Sequence, residues 1–230
     1  EKGFVMALQN AIEKNKNAFS VGAKMVDMKN PKILDDAGDF YCALGWAFAR
    51  GKGKASDKYE KETKIFSACG GAAIYRKSIL DKIGIFDENY FAYLEDLDIG
   101  YRAKVYGYKN YYTPDAIVHH AGSASSGSKH NEFKVNLSSR NSIYVIYKNM
   151  PLLQQLINLP FFLLGYLVKW LFFVRKGLGK TYFRGVVEGI KRNHSKEAKE
   201  HKVKFEMSHF CNYFMIQLEL WKNLIFLPFY

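Results

Sequence analysis

Residues 86–102 read FDENYFAYLEDLDIGYR, and the reading of this stretch decides the fold. Three aromatic residues, Tyr90, Phe91 and Tyr93, lead into three acids, Glu95, Asp96 and Asp98. The spacing predicts a helix over about 94–106, ended by Gly107, with the acids in its first turn, where the macrodipole favours negative charge. At about 100° per residue, Glu95, Asp98 and Arg102 fall near one face while Asp96 is turned away. Asp98 and Arg102 then form an i,i+4 ion pair. Asp96 is left to act as a general base on a hydroxyl, its pKa raised by the adjacent carboxylate. Ordinary helix-terminal charge explains the same three acids without chemistry. The aromatic residues either offer a stacking surface to a ligand or fill the core.

Upstream of this stretch, residues 65–75 (IFSACGGAAIY) read as a buried strand with close backbone approach at Gly70-Gly71. Lys77–Ile83 reads as a short helix stopped by Gly84. Residues 4–13 carry a helical apolar stripe, 18–26 a strand, and Asn30-Pro31 a turn. Residues 50–64 are rich in glycine and charge and read as an exposed loop. The GKGK within them lacks the glycine spacing and the hydroxyl of a phosphate-binding loop.

Downstream, 108–112 and 116–119 read as two strands divided by Thr113-Pro114. GSASSGS at 122–128 reads as a flexible loop rooted at His119 and His120. A histidine there is either a hydrogen-bonded structural residue or, together with oxygen ligands, part of a site for Mg or Mn holding a diphosphate. Asn131 caps a helix reaching Asn149, closed by Pro151. Strands alternating with helices over 18–120 predict an α/β layer structure. There is no internal repeat.

With 48% apolar and 16% aromatic residues, the 230-residue chain is neither disordered nor collagen-like. Cys42, Cys69 and Cys211 are too widely spaced for a disulfide framework or a CxxC zinc site, which fits a reducing compartment. The chain opens at Glu1 without the pattern of a signal peptide, and it is expected to begin partway through a longer protein.

The net charge of +12 is uneven: residues 1–150 contribute +5 and residues 169–204 alone +8. That basic run lies between two apolar segments, 152–174 and 210–230. In the first, 17 of 23 residues are aliphatic or aromatic, enough to cross a bilayer as a helix of roughly 34 Å. Gln154, Gln155, Asn158 and Lys169 interrupt it, however, and Pro160 would kink it. A true span and an interfacial or re-entrant helix both remain open, as does a helical subdomain packed on the core. The second segment, with Glu219 and Lys222, is a poorer span. Lysine and arginine beside such segments bind anionic cytoplasmic lipids. The basic run carries no recognised nucleic-acid-binding motif, so no nucleic-acid partner is expected.

Residues 68–125 resemble the C-terminal half of the catalytic domain of family 2 glycosyltransferases, especially their bacterial rhamnosyltransferase-like branch. The likeness rests on Gly70, Gly71, Ala72 and Arg76; on Phe86-Asp87-Glu88; on Glu95, Asp96 and Asp98; and on Arg102, Gly107, Pro114 and His120. Upstream, Asp36-Ala37-Gly38-Asp39 and Arg50-Gly51 look like a loop of these enzymes, and downstream Arg140-Asn141 resembles their R-N pair. The resemblance covers about residues 1–190. It implies an α/β fold: part of a GT-A-type domain over 1–150, followed by a helical, membrane-associated region over 151–230.

It further implies transfer from a nucleotide-sugar donor to a glycan or lipid-linked acceptor, at the cytoplasmic face of the membrane. In that reading Asp96 is the base, and Glu95 and Asp98, with Arg102, support the acceptor side. Gly70 and Gly71 lie toward the donor. His120 matches a position near the diphosphate and its divalent metal, and Arg140 is either an anion contact or a structural pair. The family's nucleotide-binding first third, with its Asp-x-Asp-like metal motif, has no counterpart here, and Asp35-Asp36 matches a different loop. These 230 residues alone are therefore expected to have an incomplete donor site and little or no transferase activity. The non-enzymatic alternative is a membrane-anchored binding or structural module. A metal-dependent phosphoryl-transfer enzyme would use the same carboxylates and histidines, but no phosphatase signature accompanies them.

Overall fold

The computed structural model describes residues 1–122 and 130–227, so all but the first residue of the expected Gly/Ser loop lies outside them. In chain order the first half holds α1 (Phe4–Lys14), β1 (Ala18–Asp27), β2 (Leu34–Asp36), β3 (Asp39–Cys42), β4 (Trp46–Ala49), β5 (Thr63–Ile65) and β6 (Ala73–Tyr75). Then come α2 (Lys77–Ile83), α3 (Glu95–Val105), β7 (Lys109–His120) and α4 (Glu132–Asn149). Four further helices follow: α5 (Leu152–Arg175), α6 (Gly179–Arg192), α7 (Lys196–Glu200) and α8 (Phe210–Phe226). This is an α/β fold with a mixed sheet followed by a helical region, consistent with part of a GT-A-type domain and its helical extension.

β1 is buried along nearly its whole length, as its apolar sequence requires of a strand covered on both faces. It pairs in parallel with β7. Its other edge takes β6 near its start and β2 near its end, both antiparallel, while β5 lies beyond β7. α1 covers one face through Leu8, Ala11 and Ile12, which pack with Val21 and Met25. β3 and β4 form a separate hairpin.

Two expectations are corrected by this topology. Residues 65–75 are not one strand: β5 and β6 sit on opposite sides of the β1–β7 pair, so the chain between them must cross over. Gly70 and Gly71 lie exposed on that crossover, and a Cβ at either would meet its neighbours at ordinary van der Waals distance. Residues 109–120, conversely, are one strand rather than two. Gly22 and Lys24 of β1 face Tyr112 and Ile117, so Pro114 falls in a bulge where no ladder donor is needed.

The C-terminal helices fold back onto the α/β half. Ala43 N–H donates to Leu220 O (3.2 Å), and Asn223 Nδ2 donates to Tyr41 O (2.9 Å), so α8 seats on β3. One core cluster includes Tyr41, Phe66, Tyr101, Tyr144, Phe162 and Tyr213, drawn from both halves of the chain. α6 lies so close to α4 that a Cβ at Gly185 would fall 2.4 Å from Asn136 O.

α5 runs as one helix through Pro160. Among the described residues it is the helix long and apolar enough to cross a membrane. Its inward face is made of Gln154, Asn158, Phe162 and Gly165, and its outer face of exposed leucines.

Candidate active site

The site forms where the crossover at 66–72 meets the start of α3. The loop before α3 is strained: Phe91, Tyr93 and Leu94 all have φ between 63° and 70°, the left-handed region that bulky side chains avoid. α4 holds it there. Asn141 Nδ2 donates to the carbonyls of Tyr90, Ala92 and Tyr93 at 2.8–3.0 Å. Arg140 Nη2 donates to Tyr90 O at 2.9 Å and to Asn89 O at 3.3 Å. Arg140-Asn141 thus clamps the backbone of this loop. Tyr90 is fully buried, so it belongs to the core, while Phe91 is 78% exposed and meets Phe133 edge to face.

The acids of α3 part ways as helical geometry predicts. Asp98 is completely buried and bonded to Arg102 Nη2 (2.9 Å), Lys148 Nζ (2.9 Å), Asn149 Nδ2 (2.8 Å) and Tyr90 Oη (3.2 Å). Lys148 Nζ also reaches Asp87 Oδ2 (2.8 Å), and Arg102 donates to the carbonyls of Ile83, Gly84 and Ile85. Burial alone would raise the pKa of Asp98, but Arg102 and Lys148 outweigh it and hold the carboxyl below its usual range. The same balance, with Lys148 the main cation, depresses Asp87. Asp98 and Arg102 therefore brace the helix from inside.

Asp96 points the other way. Its Oδ2 accepts from Gly70 N–H (3.0 Å) and its Oδ1 from Leu97 N–H (2.8 Å), and among the described residues no cation pairs with it. Burial raises its pKa, with the two N–H donors offsetting part of the effect. Glu95 is raised as well, by burial and then by the charge of Asp96. Its Oε2 is buried without a hydrogen-bond partner.

A second acidic group lies alongside. Asp36 ends β2, Asp39 begins β3, and Gly38 makes the turn between them at φ +100°, where a Cβ would strike Ile65 at 2.4 Å. One carboxylate oxygen each of Asp36 and Asp39 and the Cys69 thiol lie within 4.8 Å of one another. Burial drives Asp36 up to about 7 despite a bond from Gly38 N–H, and the charge of Asp96 adds to the rise. Burial and the charges of Asp36 and Asp96 push Asp39 well up, and burial with the same acids raises the Cys69 thiol. Two crowded, water-poor carboxylates are a setting that a divalent cation relieves. Their oxygens suit Mg or Mn, and the protonated thiol is the weakest of the three donors.

Sequence reasoning missed this trio, having set Asp35-Asp36 aside. The available signal was Asp36-x-x-Asp39 around a glycine that breaks the strand, which turns both acids inward. His120 is not part of the group. Its Nδ1 lies 2.6 Å from Asp35 Oδ2, with Lys52 Nζ on the other oxygen at 2.6 Å. Neighbouring residues of a strand face opposite ways, so the Asp35 that holds His120 and the Asp36 of the acidic group diverge. The structure thus gathers Asp96, Glu95, Gly70 and the Asp36–Asp39–Cys69 group, and it leaves His120 outside it, in contact with Asp35.

No protein-family model matches the chain. Over 58 residues it is 40% identical to an N-acetylglucosaminyl-diphospho-decaprenol L-rhamnosyltransferase of Mycobacterium tuberculosis, in both strain CDC 1551 / Oshkosh and strain ATCC 25618 / H37Rv. The match takes in 25% of this chain and about a fifth (19%) of the relatives' length.

Proposed function

We propose that the chain carries the acceptor-side part of a glycosyltransferase of the family 2 type. It moves a sugar, rhamnose by analogy with the matched relatives, from a nucleotide-diphosphate donor to a hydroxyl of a glycan or lipid-linked acceptor. Residues 1–150 form part of the catalytic domain, and 151–230 form a helical tail that holds it at the cytoplasmic face of the membrane. The observation that carries this reading is Asp96: it has N–H donors to fix its rotamer and, among the described residues, no cation to neutralise it.

In the inverting reaction, Asp96 takes the proton of the acceptor hydroxyl as that oxygen bonds to the anomeric carbon. The bond from that carbon to the nucleoside diphosphate breaks, and the leaving group keeps the electron pair. N–H bonds to both oxygens of Asp96 fix its orientation, and burial lifts its proton affinity toward a working range. Phe91 and Phe133 offer an exposed aromatic pair to an acceptor ring. Asp36 and Asp39 are the residues that would hold Mg or Mn, whose chemistry is to neutralise the charge of a departing diphosphate.

The test is sugar transfer from a panel of nucleotide sugars to membrane acceptors, by the protein as its gene encodes it and by its Asp96→Asn variant. Transfer is expected to fall about 10²–10⁴-fold with donor binding retained. Undiminished transfer would remove Asp96 as the base. Absence of transfer from both proteins would favour a non-catalytic binding module.

A further inference from the structure

We infer that α5 lies flat in one leaflet of an anionic membrane, as an in-plane anchor rather than a span. The inference rests on the membrane association proposed above and adds how the contact is made.

Leu156, Leu163, Leu167 and Val174 recur at spacings of 7, 4 and 7, which places them within about 20° of one line along the helix. All four are 48–65% exposed. The opposite face is committed to protein along most of the helix. Gln154 Oε1 accepts from Tyr101 Oη (2.7 Å), and Asn158 and Gln217 exchange two amide hydrogen bonds (2.8 and 2.9 Å). Gly165 O accepts from Trp46 Nε1 (3.1 Å), and a Cβ on Gly165 would strike Leu44 O at 2.3 Å. Lys169 Nζ lies 5.3 Å from the Trp46 ring, and Phe173 stacks on Tyr182 at 5.2 Å.

Three of the residues that spoil the segment as a span are bonded into the fold: Gln154 to Tyr101 of α3, Asn158 to Gln217 of α8, and Lys169 over Trp46 of β4. A helix tied to a folded domain from residue 154 to residue 173 cannot cross a bilayer without carrying that domain into hydrocarbon. Lying flat, it buries the leucine line and keeps every one of these bonds.

Charge singles out the lipid. Lys176 Nζ sits 5.9 Å from the ring of Phe172 at the C-terminal end of α5, next to exposed Arg175. At the other end, Lys202 edges a groove of about 540 Å³ that Leu152, Leu153 and Ile157 share with Phe210 and Phe214 of α8. Cations thus stand at both ends of α5, within the basic run over 169–204 that supplies +8, as an in-plane helix beside acidic headgroups requires.

The chain is tested on vesicles of phosphatidylcholine with and without 30% phosphatidylglycerol. Single cysteines replace Leu156, Leu163 or Val174 in a Cys69→Ser, Cys211→Ser background and carry a nitroxide for depth measurement. Equal depth at all three sites, just below the phosphates, is the expected result. A graded depth, approaching the roughly 27 Å that separates residues 156 and 174 along a helix, would overturn the in-plane geometry while leaving membrane association intact. Binding should weaken about a hundredfold on anionic vesicles when Arg175, Lys176 and Lys202 all become glutamine. It should be lost in the Leu163→Glu, Leu167→Glu variant, whose circular dichroism stays native. Failure of the unaltered chain to bind either vesicle, or binding by the glutamate variant equal to the parent's, would sink the inference. Because no step depends on transfer, inactivity of the enzyme has no bearing on it.

Discussion

A single residue, Leu97, separates Asp96 from Asp98 on one helix, yet the two acids live in opposite electrostatic regions. Around Asp98, every buried carboxylate is answered: Lys148 bridges it to Asp87, and Arg102 and Asn149 complete the set. Around Asp96, burial acts on Asp36, Asp39 and Glu95 with few cations to offset it, and all four acids are raised. The first region is what a chain builds to hold a helix in place. The second is costly to leave in a fold, and such concentrations of unneutralised charge mark functional sites. Residue type is the same in both; the difference lies in what α4 supplies to one and withholds from the other.

The comparison breaks most visibly at Lys148. Lys148→Met strips buried Asp87 of its main cation and leaves Asp98 to Arg102 alone, and is expected to cost about 3–5 kcal/mol, read as a shift in denaturant midpoint at pH 7. The acids of this region have depressed pKa values in the native fold, so their stabilisation is present above the unfolded value near 4 and is lost as pH falls. The penalty of Lys148→Met should therefore shrink below about pH 4. A penalty under 1 kcal/mol at pH 7 would show that the pairing is not what holds α3.

Asp36 should behave in the opposite sense. Burial raises its native pKa to about 7, above the ordinary carboxylate range, so folding binds a proton, and stability is lost as pH rises from about 4 through 7. Asp36→Asn keeps an oxygen for Gly38 N–H and removes the charge. Stability at pH 8 is expected to rise by about 1–2 kcal/mol, with little change at pH 4, in paired pH–denaturation curves. A loss at pH 8 would mean that the group is not crowded.

The smallest expected effect is that of a cation. Mn at about five times its dissociation constant should stabilise the parent by about 1 kcal/mol, more at pH 8 than at pH 6, where the acids hold their protons. Thermal shifts would measure this, and the shift should vanish in Asp36→Asn, Asp39→Asn. A shift that survives both substitutions would place the ion elsewhere.

Much of this was legible in the chain itself. The helical step between Asp96 and Asp98 foretold their divergence, although Glu95 falls with Asp96 rather than with Asp98, and Gly84, Gly107, Asn131 and Pro151 marked helix ends that the structure reproduces. What escaped was decided by distance in sequence. β5 and β6 read as one strand because nothing local says that they join different edges of the sheet. The Asp36–Asp39–Cys69 group joins residues more than thirty positions apart through a crossover that has no periodicity of its own. The interruptions of α5 looked like defects in a span because their partners, Tyr101 and Gln217, lie more than fifty residues away on either side.

The seat of α8 on β3 has a consequence for biosynthesis. Asn223 and Tyr41 are 182 residues apart, and a ribosome adding 5–20 residues per second takes roughly 10–35 s to bring them together. For that interval the Tyr41 carbonyl and the core-facing aromatic residues around it lack their last helix. The nascent chain presents a wet, half-built core beside the future acidic site, and the arrival of α8, rather than formation of the sheet, sets the moment at which the fold closes.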